Sequence, residues 1–120
     1  MATFSKVLLS GSTGGRPIQV GATSGTGTTI HTTGTSSSTI DEVWLYATNV
    51  TGASVDLTID FGGTATGDKI ITTLPAKQAL YILAPGLVLT GDGSSGRVIR
   101  ATAGTTNVIN VTGYINRIVP

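Results

Sequence analysis

The stretch from Ile40 to Gly63 constrains the fold more than any other part of this 120-residue chain. Apolar and polar side chains alternate in Asp41–Asn49 and again in Ser54–Phe61, which is typical of β-strands with one buried face. Between the two runs, Asn49–Ala53 (NVTGA) has the composition of a turn. The stretch therefore predicts a long antiparallel hairpin. Its apolar side chains are expected to form the core of one sheet: Val43, Leu45, Ala47, Leu57, Ile59 and Phe61.

The same alternation leaves two large aromatic side chains, Trp44 and Tyr46, on the opposite face of the first strand. In a domain of this size they need a second cover, which is either an edge segment of the same chain or a neighbouring subunit. In the second strand, Asp56, Thr58 and Asp60 occupy the outer face, where we expect them to be solvated. The outer face of the first strand thus indicates contact with a partner, whereas the outer face of the second strand does not.

The rest of the chain consists of short strand-like segments separated by turns at roughly ten-residue spacing. Clear examples are Thr28–Thr33, Asp68–Leu74, Gln78–Leu83 and Asn107–Ile118, and Pro85-Gly86 marks a turn after the third of them. No stretch of ten residues shows the apolar periodicity of a helix. We predict an all-β chain: a single-domain β-sandwich or jelly roll, covering residues 1–120, with about eight or nine short antiparallel strands.

The first sixteen residues permit two interpretations. Met1–Arg16 is either an extended arm that becomes ordered against a partner or an edge strand of the sandwich. Its apolar run, Val7–Leu9, is shorter than the ~7–15 residues of a signal-peptide core, so we expect synthesis in the cytoplasm without a cleaved leader. No apolar stretch reaches the ~18 residues of a membrane span.

Charge and composition argue against several classes of function. Seven Lys and Arg residues are scattered along the chain against six Asp and Glu, whereas nucleic-acid binders gather cations on one face. Without cysteine there is neither a disulfide nor a thiolate metal site.

The only histidine, His31, has no catalytic partner suggested by its neighbours. Asp56 and Asp60 would lie ~13 Å apart on their strand, too far for a glycosidase pair. We therefore expect a protein that is not an enzyme and has no cofactor.

Several segments are similar in style to small all-β virion proteins of tailed bacteriophages. They are TTIHT, DEVWLYATN, LTIDFGG, PGLVL and VINVTGYINRI, and they lie in the chain from Thr28 onward. The resemblance implies a structural protein of the virion, most specifically a capsid decoration (cement) protein. Such proteins bind and stabilise the shell of the major capsid protein, many as homotrimers and some through an N-terminal arm, so the resemblance implies that this chain is a homotrimer bound to that shell.

With that function, we expect partner contacts from the N-terminal segment and from the single tryptophan: Phe4, Lys6, Val7, Leu8, Leu9, Arg16 and Trp44. Two alternatives are a neck or tail component and a protein that binds a host glycan through loops such as Gly91–Gly96. The glycan alternative is weakened because Trp44 and the tyrosines all lie in predicted strands rather than in loops.

Overall fold

A computed structural model describes residues 2–77 and 79–120 of the chain. Met1 and Gln78, which begin the predicted arm and the predicted strand Gln78–Leu83, lie outside the described residues. The described residues form nine strands and one 3-10 turn at Thr66–Asp68. The strands are β1 (Thr3–Leu8), β2 (Ile18–Gln19), β3 (Thr28–Thr32), β4 (Ile40–Asn49), β5 (Val55–Phe61), β6 (Lys69–Leu74), β7 (Tyr81–Leu89), β8 (Val98–Ala103) and β9 (Ile109–Val119).

These strands pair antiparallel in two sheets that pack face to face. The front sheet has the order β1-β9-β4-β7, and the short β2 also pairs with β9. The back sheet has the order β3-β8-β5-β6. The chain changes sheet at most of its connections, and apart from the short β2 each sheet has four strands, which is the arrangement of a jelly roll. The predicted all-β sandwich is therefore confirmed.

The predicted hairpin in Ile40–Gly63 is wrong, although both of its strands exist. β4 pairs with β9 and β7 in the front sheet, whereas β5 pairs with β6 and β8 in the back sheet. Buried Asn49 turns the chain from one sheet to the other. Its side chain accepts hydrogen bonds from the Thr51 N–H and hydroxyl and donates to the carbonyls of Ala53 and Leu74. The alternation of apolar and polar side chains predicts the two strands correctly, but not the strands with which they pair.

The core lies between the inner faces of the two sheets. Five of the six residues predicted to form it are buried, and Phe61 is partly buried against them. They belong to two facing sheets rather than to one. Because β4 belongs to the front sheet and β5 to the back sheet, the apolar side chains of both strands lie in the core between the sheets, where their burial stabilises the fold.

The N-terminal segment is an edge strand, which is the second of the two interpretations above. β1 pairs with β9 from Thr3, opposite Val119, to Leu8, opposite Tyr114, without a register shift. The chain then crosses to the back sheet, where the Gly11 N–H donates to the Ile30 carbonyl.

Pro85-Gly86 is not a turn between strands. β7 continues through both residues, and its pairing with β4 shifts register at Gly86 and again at Leu83. β7 is at the edge of the front sheet, where the absent N–H of proline is tolerated and a bulge can absorb the positive φ of Gly86, 81°.

Candidate functional site

The outer face of the front sheet, on the side away from the core, is the most distinctive surface of the protein. The pairing register places its side chains in rows across the strands β1, β9, β4 and β7. Many of them are apolar and open to solvent, with exposed fractions of 72% for Phe4, 60% for Val88, 59% for Ile82 and 54% for Leu8. We call this surface the outer face. Its members are Phe4, Lys6, Leu8, Ile40, Glu42, Trp44, Tyr46, Ile82, Pro85, Val88, Thr112, Tyr114, Asn116 and Ile118.

A row of stacked side chains crosses the middle of the outer face. The rings of Trp44 and Tyr114 are 6.0 Å apart between centroids and inclined by 10°. The Lys6 ammonium nitrogen lies 4.8 Å from the centroid of the Tyr114 ring. Gly86 packs against Trp44, where an added Cβ would lie 3.1 Å from the indole. Trp44 and Tyr114 are therefore in contact with each other and with Gly86 and Lys6, which orders the aromatic pair before any partner binds.

Glu42 is a fixed negative charge beside this row. Its Oε1 accepts hydrogen bonds from the Trp44 indole N–H at 2.7 Å and from the Asn116 amide at 3.1 Å. These two bonds hold the pKa of the Glu42 carboxyl below its ordinary value, so it is ionised at neutral pH. Glu42 and Lys6 line a depression of about 250 Å³, which also includes Phe4, Ser5, Asn116 and Ile118.

The structure brings together four of the seven residues predicted to contact a partner. Phe4, Lys6, Leu8 and Trp44 share the outer face. The other three are elsewhere: Val7 is half-buried against the core, Leu9 is buried within it, and Arg16 is exposed in the loop before β2. Leu9 is thus a core residue, because the strand alternation ends where the chain crosses to the back sheet.

Most other members of the outer face could not be predicted from the sequence. Alternation within the last strand puts Tyr114 and Asn116 on a common face, but nothing in the sequence indicates that this strand pairs with both β1 and β4. Val88 and Ile82 lie on the segment interpreted as two strands with a turn. Alternation assigns a face to each residue, whereas the strand order decides which faces become one surface.

A second cluster, His31–Asp41–Arg117, is buried and polar. His31 Nδ1 accepts the Ser10 backbone N–H at 3.0 Å, and Nε2 lies 2.8 Å from Asp41 Oδ2. Arg117 donates to both carboxylate oxygens of Asp41, at 2.7 and 3.0 Å. Because Nδ1 accepts, the neutral ring carries its proton on Nε2 and donates it to Asp41. Both ring nitrogens are occupied, and the cluster joins β3 of the back sheet to β4 and β9 of the front sheet.

The electrostatics of this cluster favour an ionised Asp41. Burial of the carboxylate by itself raises its pKa, but the hydrogen bonds and positive charge of Arg117, together with the hydrogen bond from His31, outweigh that effect. The pKa of Asp41 is therefore below its ordinary value. We conclude that this cluster stabilises the packing of the two sheets.

The loop at Gly91–Gly96 is closed on itself. Asp92 Oδ1 accepts the backbone N–H groups of Ser94 and Ser95, at 2.8 and 2.6 Å, and these bonds lower the pKa of the carboxyl. Arg97 donates to the carbonyls of Thr90 and Gly91 at the base of the loop. These polar groups hold the shape of the loop.

Comparison of the chain with known protein families, with characterised proteins and with solved structures finds no match. Within residues 2–77 and 79–120, no group of three or more His, Cys, Asp or Glu side chains is arranged to hold a metal ion. The part of the chain that the structure describes contains no helix long and apolar enough to cross a membrane.

Proposed function

We propose that this chain is a non-enzymatic structural protein of a bacteriophage virion, a capsid decoration protein that assembles on the shell of the major capsid protein. The observation that carries the proposal is the outer face, where exposed apolar side chains surround an ordered aromatic pair. Large exposed apolar surfaces mark sites of contact with other proteins. Aromatic anchors at the centre of such a surface supply much of the binding energy.

The opposite surface of the sandwich supports this assignment by contrast. The outer face of the back sheet is mainly polar, and Asp60 forms an ion pair with Lys69 at 2.7 Å. Asp60 is 5% exposed, so it is a paired, buried carboxylate and not the solvated side chain expected from the sequence. Asp56 is exposed and accepts a hydrogen bond from Thr73. Only Ile71 is a large exposed hydrophobic residue among the described residues of this face, at 66%. One sheet is thus suited to solvent and the other to a partner.

The fold is compatible with the proposal but does not decide it. Jelly rolls occur in viral capsid proteins and also in lectins, and one fold serves many functions. The resemblance of the strand segments to phage virion proteins favours the capsid. An oligomer of this chain would engage several sites of the shell at once, so a modest contact surface on each copy is sufficient.

The geometry of the aromatic row counts against the glycan-binding alternative. A sugar ring stacks on an open aromatic face, whereas Trp44 already lies against Tyr114 and Gly86, and Tyr114 lies against Trp44 and Lys6. An aromatic pair held in this way beside exposed aliphatic side chains suits an apolar protein surface better than a sugar.

The test is co-sedimentation of the purified chain with empty capsid shells and, separately, with tail tubes. We expect a fixed number of copies per capsid shell and none on the tubes. Leu8→Asp, on the outer face, should reduce occupancy at least about tenfold, because it buries a charge in an apolar contact. Ile71→Asp is the matched control, since Ile71 on the back sheet is also exposed, at 66% against 54% for Leu8, and it should leave occupancy unchanged.

Three results would contradict the proposal. They are an absence of binding to shells, binding to tail tubes alone, and specific binding to a glycan array. Deleting the N-terminal segment is a poor test, because β1 is paired along its whole length and its removal would expose the edge of β9.

A further inference from the structure

We infer that the outer face binds a second copy of this chain, forming a two-fold dimer whose axis runs along β9. This rests on the proposed function only in taking the outer face as a site of protein contact, since the dimer would form without a capsid. In the free protein the second copy would occupy the outer face, and the shell of the major capsid protein would compete with it for that face. The inference depends on how the rows of the outer face match themselves.

The two-fold axis runs along β9, between the two facing sheets. It places β9 of one copy against β9 of the other, and β1 of each copy against β4 of the other. Three cross-strand rows are affected. The first contains Phe4, Ile118 and Ile40, the second Lys6, Asn116 and Glu42, and the third Leu8, Tyr114 and Trp44. In the first row, Phe4 of each copy then faces Ile40 of the other. In the third row, Leu8 of each copy faces Trp44 of the other. An interface of this symmetry must be complementary to itself, and these rows meet that condition.

The middle row provides charge complementarity. Lys6 and Glu42 lie on opposite sides of Asn116, each one strand away from it. Neither forms an ion pair within the described part of the chain. The exchange places Lys6 of each copy against Glu42 of the other, so two ion pairs form and Asn116 meets its own counterpart. Lys6 and Glu42, which form no ion pair in the described part of a single copy, thus form two ion pairs in the dimer.

The same charges exclude the other obvious axis. An axis midway between β9 and β4 would overlap all four strands, but it would place Lys6 against the side of the face that carries Val88. Burying an ammonium group against an apolar side chain is unfavourable. The axis along β9 is therefore preferred, although it leaves β7 without a facing strand.

The contact area fits a weak dimer. The two-fold axis along β9 brings together the eleven residues of β9, and it overlaps Phe4–Leu8 of β1 with Ile40–Trp44 of β4. With strands ~4.8 Å apart and ~3.3 Å per residue, these segments give a flat footprint of roughly 330 Å² per copy. The accessible area of a corrugated surface is larger than its footprint, but Ile82 and Val88 on β7 lie beyond the edge of the partner. The interface therefore belongs to the small class, below roughly 600 Å² per partner, that is typical of weak complexes.

The test is sedimentation of the purified full-length chain from about 1 to 200 µM, a range that covers weak dimers. We expect a concentration-dependent dimer. Lys6→Glu and Glu42→Lys should each raise the dimer dissociation constant at least about tenfold, because like charges would face each other. The double variant, Lys6→Glu with Glu42→Lys, should restore dimerisation. Lys77→Glu, an equal charge reversal in an exposed loop, is the matched control and should change nothing.

A cross-linking experiment tests the axis without altering these charges. The chain has no cysteine, so Thr112→Cys on β9 introduces a single thiol close to the axis. Packed sheets lie about 10 Å apart, and a bis-maleimide that spans this distance should link two copies. Thr102→Cys, on the outer face of the back sheet, should not be linked.

A chain that remains a monomer, or forms a trimer, at the highest concentration would overturn the inference. So would a dimer that the double variant does not restore, or one linked equally through Thr102→Cys. Failure here is distinguishable from failure of the proposed function. A monomer that binds shells removes only the dimer, and a dimer that does not bind shells removes only the capsid role.

Discussion

Replacing Asp41 by asparagine tests the buried polar cluster that joins the two sheets. The carboxylate accepts one hydrogen bond from His31 and two from Arg117. Hydrogen bonds to a charged group contribute about 1.5–3 kcal/mol each, and removing one partner of a buried ion pair costs about 3–5 kcal/mol. Asparagine keeps one acceptor oxygen, and Arg117 is partly exposed and can be hydrated. We therefore expect the free energy of unfolding to fall by about 2–4 kcal/mol.

Urea denaturation at pH 7 measures this loss directly, with circular dichroism as the signal. The matched control is Asp56→Asn, the same chemical change on an exposed side chain that accepts a single hydrogen bond from Thr73. The control should differ from the wild type by no more than about 0.5 kcal/mol. The comparison separates loss of the buried cluster from the general effect of removing a negative charge.

The pH dependence provides a second, independent readout. Because the pKa of Asp41 is lowered in the folded state, its ionisation stabilises the fold above the unfolded-state pKa of about 3.9. That contribution is lost as the pH falls through the lower, folded-state value. Asp41→Asn lacks this contribution, so the stabilities of the two proteins should converge between about pH 5 and pH 2. A variant as stable as the wild type at pH 7, or a difference that persists unchanged in acid, would refute the reasoning.

Three further substitutions test the packing of the sandwich. Gly113→Ala should cost at least about 2 kcal/mol, because Gly113 has a φ of 153° and an added Cβ would overlap the Trp44 carbonyl oxygen; a melting temperature equal to that of the wild type would contradict this. Asn49→Ala should cost about 2–4 kcal/mol in urea denaturation, since it leaves buried polar groups unpaired at the crossing between sheets, and a loss below about 0.5 kcal/mol would count against that role. Leu57→Ala should cost about 2–5 kcal/mol, whereas Ile71→Ala, at an exposed position, should change the free energy of unfolding little; equal losses would contradict the assigned core.

Much of the fold could be predicted because strand alternation is a local signal. Val43 and Leu57 were assigned to buried faces from their immediate neighbours, and both are fully buried. The placement of β4 and β5 in different sheets could not be predicted in this way. A turn sequence such as Asn49–Ala53 is compatible with a hairpin and with a crossing between sheets. The difference depends on Asn49 reaching the Leu74 carbonyl, 25 residues away.

The candidate site was partly predictable for the same reason. The alternation showed that Trp44 and Tyr46 lie away from the core and need a cover. It did not show that Phe4 and Leu8 extend the same surface, since this requires β1 and β4 to flank β9. The sequence around His31 suggests no side-chain partner for it, because Asp41 and Arg117 reach it only through the packing of different strands.

The sequence by itself determined the all-β class, the approximate strand positions and the face to which most side chains belong. These properties depend on neighbours one or two residues apart, because successive side chains of a strand point to opposite sides. The tertiary structure decided which strands pair, which carboxylates are buried and which half-exposed residues form one surface. Those properties arise from contacts between distant residues, such as Lys6, Asn116 and Glu42, which only the strand order brings into a single row.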